Sequence, residues 1–274
     1  MDFSDQISRL TRAHQLGMEL SAAMQAWGGG NPYSARASIA EDRLSWELRL
    51  QVSQAPPLAD WGFRFGEAVN HLRATLDNLV VAIARQSGVT DEKQLKALMF
   101  PICGTPKEWT SRQKALGCLP DWCRNALEQL QPLLRPKHGG TLDEDLLLIL
   151  RDVDNNTKHH LQVKPDLATQ AIRHAPAVEF ETEEGAAASL PPDTEVMVAP
   201  FQDGAVLLRH RTSGRIKSVQ GHYNITAQVQ VVLPDGRTFG VTELLAVLWE
   251  YTRVVMDHVI TAAEQPEGSL HDLQ

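Results

Sequence analysis

Two short stretches of the sequence concentrate polar side chains that could do chemistry. The first spans residues 70–79, where the apolar residues recur at helical spacing. Arg73 and Asp77 are four residues apart there, so on a helix they can form an ion pair. Asn70 falls on the same flank, because each helical residue turns by about 100°. This stretch therefore predicts a row of polar groups beside an apolar stripe.

The second stretch is a polar run that follows the apolar residues 146–149. Four of its side chains fall on or near one helix face: Asp152, Asn155, Lys158 and His159. An unpaired buried polar group costs on the order of 1–3 kcal/mol. A dense polar cluster at the end of a buried helix therefore requires a partner, and we expect that partner to be the face that bears Arg73.

The two polar faces admit three interpretations. They could lock two packed helices together, or they could form a catalytic or ligand-binding site. A metal site is the third interpretation, because Asp152, Asp154, His159 and His160 are residues of the metal-ligating types. The two adjacent histidines would point about 100° apart on a helix. Because only one of them could face a given ion, we assign no metal site and no cofactor.

Four short motifs resemble those of a group of bacterial proteins and occur in the same order across residues 44–163. They are Leu72 to Asn78, Phe100-Pro101-Ile102, Leu130 to Leu133, and Asn155 to His160. The group in turn resembles the HEPN (higher-eukaryote-and-prokaryote nucleotide-binding) helical domains. Many HEPN domains are metal-independent ribonucleases that carry an Arg, four to six residues, and then a His.

The resemblance implies a role for Arg73 in holding a phosphate, whereas Asn78 stands where the family has its proton-moving His. Asn cannot titrate, so His159 would have to supply the imidazole. Two further departures are Thr157, in place of an Asp, and His160, in place of an Arg.

The resemblance therefore implies a nucleotide- or RNA-associated protein of a defence or toxin system, with weak or absent ribonuclease activity. Because HEPN-like domains often build a site across a dimer, it also implies a homodimer. The alternative is a non-catalytic binding or scaffolding protein whose polar cluster is structural. The residues leave open whether the chain is an enzyme.

The composition of the chain restricts its expected binding partners and its expected cellular compartment. The formal net charge of −8 disfavours non-specific binding to phosphate backbones and anionic membranes. The sequence has no basic stretch followed by an apolar run at its start, and no apolar run of the ~20 residues that a spanning helix needs. The three cysteines lack the spacing of a zinc or redox motif. We therefore expect a cytoplasmic protein with reduced thiols and no membrane partner.

An α+β fold must position these residues. Alternation of apolar and polar residues predicts a strand at 44–52 as half of a hairpin at 34–53, and helical periodicity elsewhere predicts a bundle. The predicted helices span residues 1–26, 60–86, 106–131, 142–161 and 242–263. A capping box at Thr141 and Glu144 would begin the fourth of them.

The predicted organisation has four parts. They are a helical core at 1–164, an antiparallel β segment at 165–240, a helix at 241–264 that returns to the core, and a frayed tail at 265–274. The two strand regions could join in one sheet, or the β segment could form a separate domain.

Overall fold

The computed structural model confirms an α+β fold. It describes residues 1–159, 165–191, 193–197, 201–233 and 235–265, without the side chains of 137–138, 157–159 and 165–175. Within these residues the α-helices are α1 Ser4–Gly29, α2 Leu58–Gln86, α3 Glu92–Ala97, α4 Pro106–Leu116, α5 Asp121–Gln129, α6 Leu146–His159, α7 Glu183–Ala188 and α8 Val241–Glu264. A 3-10 helix spans Pro132–His138. Every helix in this part of the chain is too short or too polar to cross a bilayer.

Seven strands are present in the described residues. They are β1 Tyr33–Ile39, β2 Ser45–Val52, β3 Pro165–Phe180, β4 Asp193–Val196, β5 Val206–Arg211, β6 Ile216–Val232 and β7 Thr238–Gly240.

The chain divides into two compact units, each assembled from separate segments. The helical unit comprises Met1–Ser21, Ala59–Lys164 and Val232–Gln274. The sheet unit comprises Ala22–Leu58 and Pro165–Val231. The hairpin β1–β2 thus belongs to the same unit as most of the β segment, and each unit depends on residues that lie far apart in sequence.

The helical unit is organised around the apolar stripe of α2. Its fully buried members recur at spacings of three and four: Trp61, Phe65, Val69, Leu72, Leu76, Leu79 and Ile83. The helix ends at Gln86 and is followed by Gly88, which has a positive φ of 94°; the amide of Val89 donates to the carbonyl of Ala84 at 3.0 Å. Helix α8 packs against α5 and α6 in the same unit.

Two predicted helices have different limits in the structure. The segment 106–131 forms two helices, α4 and α5, which are separated at 117–120. Helix α6 begins at Leu146 rather than at 142, because the side chain of Asp145 accepts the amides of Leu147 and Leu148 at 2.9 and 3.2 Å. The predicted end of α6 at 161 and the predicted tail from 266 onward lie outside the described residues.

The sheet unit joins the two strand regions in one sheet of order β1-β2-β5-β4. All of the strand pairs in this sheet are antiparallel, and Leu48 lies opposite Leu208. The apolar residues of β2 that alternate in sequence, Trp46, Leu48 and Leu50, are buried in the core of this unit. Strand β3 pairs with β6 in a second sheet. Alternation in the sequence therefore identified the central strand of the first sheet.

Candidate functional site

Arg73 and Asp77 form the predicted ion pair on α2, with 2.8 Å between Nη2 and Oδ1. Both side chains also bind the backbone of Phe100. Arg73 Nη2 donates to the Phe100 carbonyl at 2.9 Å, and the Phe100 amide donates to Asp77 Oδ1 at 2.9 Å. Arg73 is only 7% exposed. The pair therefore holds the backbone of one residue through both its N–H and its C=O group, inside the helical unit.

Gln131 also binds the backbone near Phe100. We name residues 100–103 the Phe100–Cys103 segment. The side chain of Gln131 is fully buried. Gln131 Oε1 accepts the amide of Cys103 at 3.0 Å, and Nε2 donates to the carbonyl of Pro101 at 3.1 Å. The segment has no regular secondary structure, so these side chains supply partners that a helix or sheet would otherwise provide.

Helix α6 contacts this cluster through Arg151 and Asp154. Arg151 Nη1 donates to the carbonyl of Ile102 at 3.3 Å. Asp154 is 3% exposed and interacts electrostatically with Arg73. Burial lowers the pKa of Arg73, and the carboxylates of Asp77 and Asp154 oppose that shift. The buried charge of Arg73 is therefore balanced from two helices.

The other predicted residues of α6 take different positions. Asp152 and Asn155 line a separate cavity of about 280 Å³, together with Asn156, Leu233 and Asp235. The side chains of Lys158 and His159, and all of His160, lie outside the described residues.

Two predicted residues of α2 also lie away from Arg73. Asn70 is exposed. Asn78 lines a larger groove of about 860 Å³ between α1 and α2, which we name the α1–α2 groove. Residues 73 and 78 differ by about 140° around a helix, so they face different neighbours. The structure thus brings together Arg73, Asp77 and Asp154 from the two polar stretches.

The α1–α2 groove also carries basic side chains, including Arg9, Arg12 and His71. Nδ1 of His71 is buried and has no hydrogen-bond partner among the described residues. Burial lowers the pKa of His71; Glu67 opposes this shift, and Arg9 and Arg12 add to it. The imidazole is therefore a partly buried group whose charged form is disfavoured.

The structure contains a second polar cluster that the spacing of residue types in the sequence did not predict. Arg135 Nε donates to the buried carboxylate of Asp145 at 2.7 Å, and Arg135 Nη2 donates to the hydroxyl of Tyr251. Burial raises the pKa of Tyr251. Because Arg135 and Tyr251 are 116 residues apart, no local spacing pattern could have linked them.

Comparison of the chain with protein-family models, curated proteins and solved structures finds no match. Among the described residues, no three His, Cys, Asp or Glu side chains lie together as a metal site would require. The described residues thus form an α+β protein with a buried polar cluster around Arg73 and a surface groove that carries both basic and acidic side chains.

Proposed function

We propose that the chain is a non-catalytic binding or scaffolding protein in which Arg73 and Asp77 form a structural clamp. One observation carries this proposal: the same Arg73 nitrogen that pairs with Asp77 also binds the Phe100 carbonyl, in a buried position. An arginine that holds a phosphate must present its guanidinium to the ligand. In Arg73, Nη2 binds the protein backbone instead, and Nη1 is buried without a hydrogen-bond partner among the described residues.

The free-energy cost of breaking the ion pair favours the same structural role for Arg73. Removing one partner of a buried ion pair destabilises a protein by about 3–5 kcal/mol, because the remaining charge is left uncompensated. Withdrawing Arg73 from the clamp to meet a ligand would carry a similar cost, with both Asp77 and Asp154 left behind. Such an arrangement suits a residue that fixes the fold.

A nucleotide- or RNA-associated function of the HEPN-like type is the second candidate. The supporting observation is the α1–α2 groove, which carries Asn78 and the basic side chains of Arg9, Arg12 and His71. An imidazole that is neutral at physiological pH can accept a proton. Weak ribonuclease activity would therefore use His71 rather than Arg73.

The test is cleavage of single-stranded RNA by the purified protein in the presence of a chelator. Five proteins are compared: the unmodified chain, Arg73→Ala, His159→Ala, His71→Gln and Arg64→Ala. Arg64 is a control on the same helix, because it is partly exposed and pairs with Asp60.

We expect no cleavage above the protein-free blank by any of the five, and we expect Arg73→Ala alone to unfold markedly more easily. Metal-independent cleavage that disappears in a folded Arg73 variant would refute the structural assignment. Cleavage that is lost only in His71→Gln would support the second candidate.

A further inference from the structure

The α1–α2 groove has the size and lining of a small-molecule site. Its volume of about 860 Å³ falls within the range of clefts that enclose drug-sized ligands. Val81 and Ala82 of α2 give it an apolar strip, and Ser4 and Ser8 add hydroxyl groups. The side-chain amide of Gln86 also lines it, but this amide is bonded to the backbone of Asp2 at 2.7 Å. The groove lies entirely within the helical unit, so α1 and α2 are sufficient to form it.

The charged side chains of the groove favour an anion. Arg9 is exposed and forms no ion pair among the described residues. Arg12 has only long contacts with carboxylates, at 3.5 Å to Glu19 and 4.0 Å to Glu67, and Arg85 is 3.4 Å from Glu92. Exposed pairs of this kind contribute little stability, so their guanidinium groups are available to a ligand.

His71 supplies an independent observation. It lies beside Arg9 and Arg12, and its Nδ1 atom is buried in the groove lining without a hydrogen-bond partner among the described residues. Because Nδ1 is closed to solvent, a ligand in the groove would contact the imidazole through its Nε2 edge.

Two carboxylates limit the charge of the ligand. Asp2 and Asp5 also line the groove, so three arginines are partly offset. One of these carboxylates is already engaged, because Asp2 Oδ1 accepts the amide of Ser4 at 2.9 Å. This balance suits one phosphate group attached to a polar body, and it disfavours a polyphosphate or a nucleic-acid strand.

We propose that the α1–α2 groove binds a small phosphate monoester with a hydroxyl-bearing body. Arg9 and Arg12 hold the phosphate through paired N–H groups, as guanidinium groups commonly do. His71 hydrogen-bonds to the ligand, and Ser4, Ser8 and Asn78 face its hydroxyl groups.

The experiment is titration calorimetry of the full chain at constant ionic strength. The probes are ribose 5-phosphate, adenosine monophosphate, inorganic phosphate, unphosphorylated ribose and a short single-stranded RNA. We expect saturable one-to-one binding of the monoesters, weaker binding of inorganic phosphate, and no binding of ribose.

The variants assign the binding to the groove. The double variant Arg9→Gln, Arg12→Gln should weaken monoester binding by about 10- to 100-fold, as expected when charge-assisted hydrogen bonds are lost. His71→Gln should weaken it by a smaller factor. Arg253→Gln is the matched control, since this exposed α8 arginine already pairs with Glu250 and Asp257 and lies outside the groove.

Three results would overturn the proposal. They are the absence of saturable monoester binding at millimolar concentration, unchanged affinity in the double variant, or tight binding of the RNA without the monoesters. None of them would bear on the Arg73 clamp, whose test is stability and cleavage. Melting curves of each variant confirm that a loss of affinity is not a loss of fold.

Discussion

Arg73 combines a full charge with near-complete burial, so its effect on stability should be large. Arg73→Ala removes a guanidinium that pairs with Asp77, binds the Phe100 carbonyl and offsets the charge of Asp154. We expect the free energy of unfolding to fall by about 3–5 kcal/mol, because two carboxylates lose their compensating charge. Urea denaturation followed by circular dichroism measures this change.

Asp77→Asn is the companion variant, because an amide oxygen can still accept the amide of Phe100. It should destabilise the chain less than Arg73→Ala does. Arg64→Ala, in a partly exposed pair of the same spacing, should stay within about 1 kcal/mol of the unmodified chain. Equal effects for Arg73→Ala and Arg64→Ala would show that the clamp contributes nothing beyond a surface pair.

His258 makes stability depend on pH. It lies on α8, its Nε2 atom is buried without a hydrogen-bond partner among the described residues, and burial lowers its pKa from 6.5. The unfolded chain therefore binds a proton more readily than the folded chain. This contribution to stability is complete above pH 6.5 and is lost as pH falls below it.

The measurement compares the unmodified chain with His258→Leu by urea denaturation at pH 8 and at pH 5.5. The unmodified chain should lose more stability between these values than the variant. His71, whose pKa is also lowered, remains in both proteins, so the difference between them reports His258 alone. Parallel losses in the two proteins would contradict the prediction.

At the scale of elements, an irregular stretch is fixed by side chains from the regular ones. The Phe100–Cys103 segment is held by α2 through Arg73 and Asp77, by Gln131 after α5, and by α6 through Arg151. Three of the four motifs that resemble the bacterial group supply these contacts or form the segment itself. In this chain, those three motifs therefore have a role in the packing of the segment.

Gln131→Leu tests this account. The substitution leaves the Cys103 amide and the Pro101 carbonyl without these partners in a buried place, so the free energy of unfolding should fall by about 2–6 kcal/mol, from two groups at roughly 1–3 kcal/mol each. Gln113→Leu, at an exposed position of α4, should change stability by less than about 0.5 kcal/mol. A change below about 1 kcal/mol for Gln131→Leu would contradict the prediction.

Local periodicity accounts for the parts of the fold that the sequence predicted. The strand predicted at 44–52 is β2 at Ser45–Val52, and the helix predicted at 60–86 is α2 at Leu58–Gln86. In both elements the apolar residues recur with the period that places them on the buried face. The local sequence is therefore sufficient to predict the type of element and its buried side. The ion pair of Arg73 and Asp77 was predictable for the same reason.

Which residues contact each other across long stretches of sequence could not be predicted from the spacing of residue types. In α6, the acidic residue that approaches Arg73 is Asp154, while Asp152 and Asn155 line another cavity. Asp152 and Asp154 lie about 200° apart on a helix, and only packing decides which of them is buried. Asp145, which caps the start of α6, is also bound by Arg135, a contact that no capping pattern reveals.

At the scale of the whole molecule, neither unit is a continuous piece of chain. The sheet unit takes β1 and β2 from Ala22–Leu58 and its other strands from Pro165–Val231. Strand β2 lies between β1 and β5, and its Trp46, Leu48 and Leu50 are almost completely buried. Residues 165–231 therefore contain a strand, β5, that pairs with β4 of the same segment on one side and with β2 of a distant segment on the other.

A fragment of residues 165–231 should accordingly fail to fold on its own, because the loss of three large buried side chains removes apolar burial worth about 1.5–3 kcal/mol each. A fusion in which a flexible Gly/Ser linker joins residues 22–58 to 165–231 should regain a cooperative thermal transition. The matched control is the same fusion with Leu48→Asp, which places a charge where the side chain is fully buried, and it should not fold. Amide exchange and thermal unfolding distinguish these outcomes. A cooperative thermal transition in the 165–231 fragment alone would show that the sheet can form without β2.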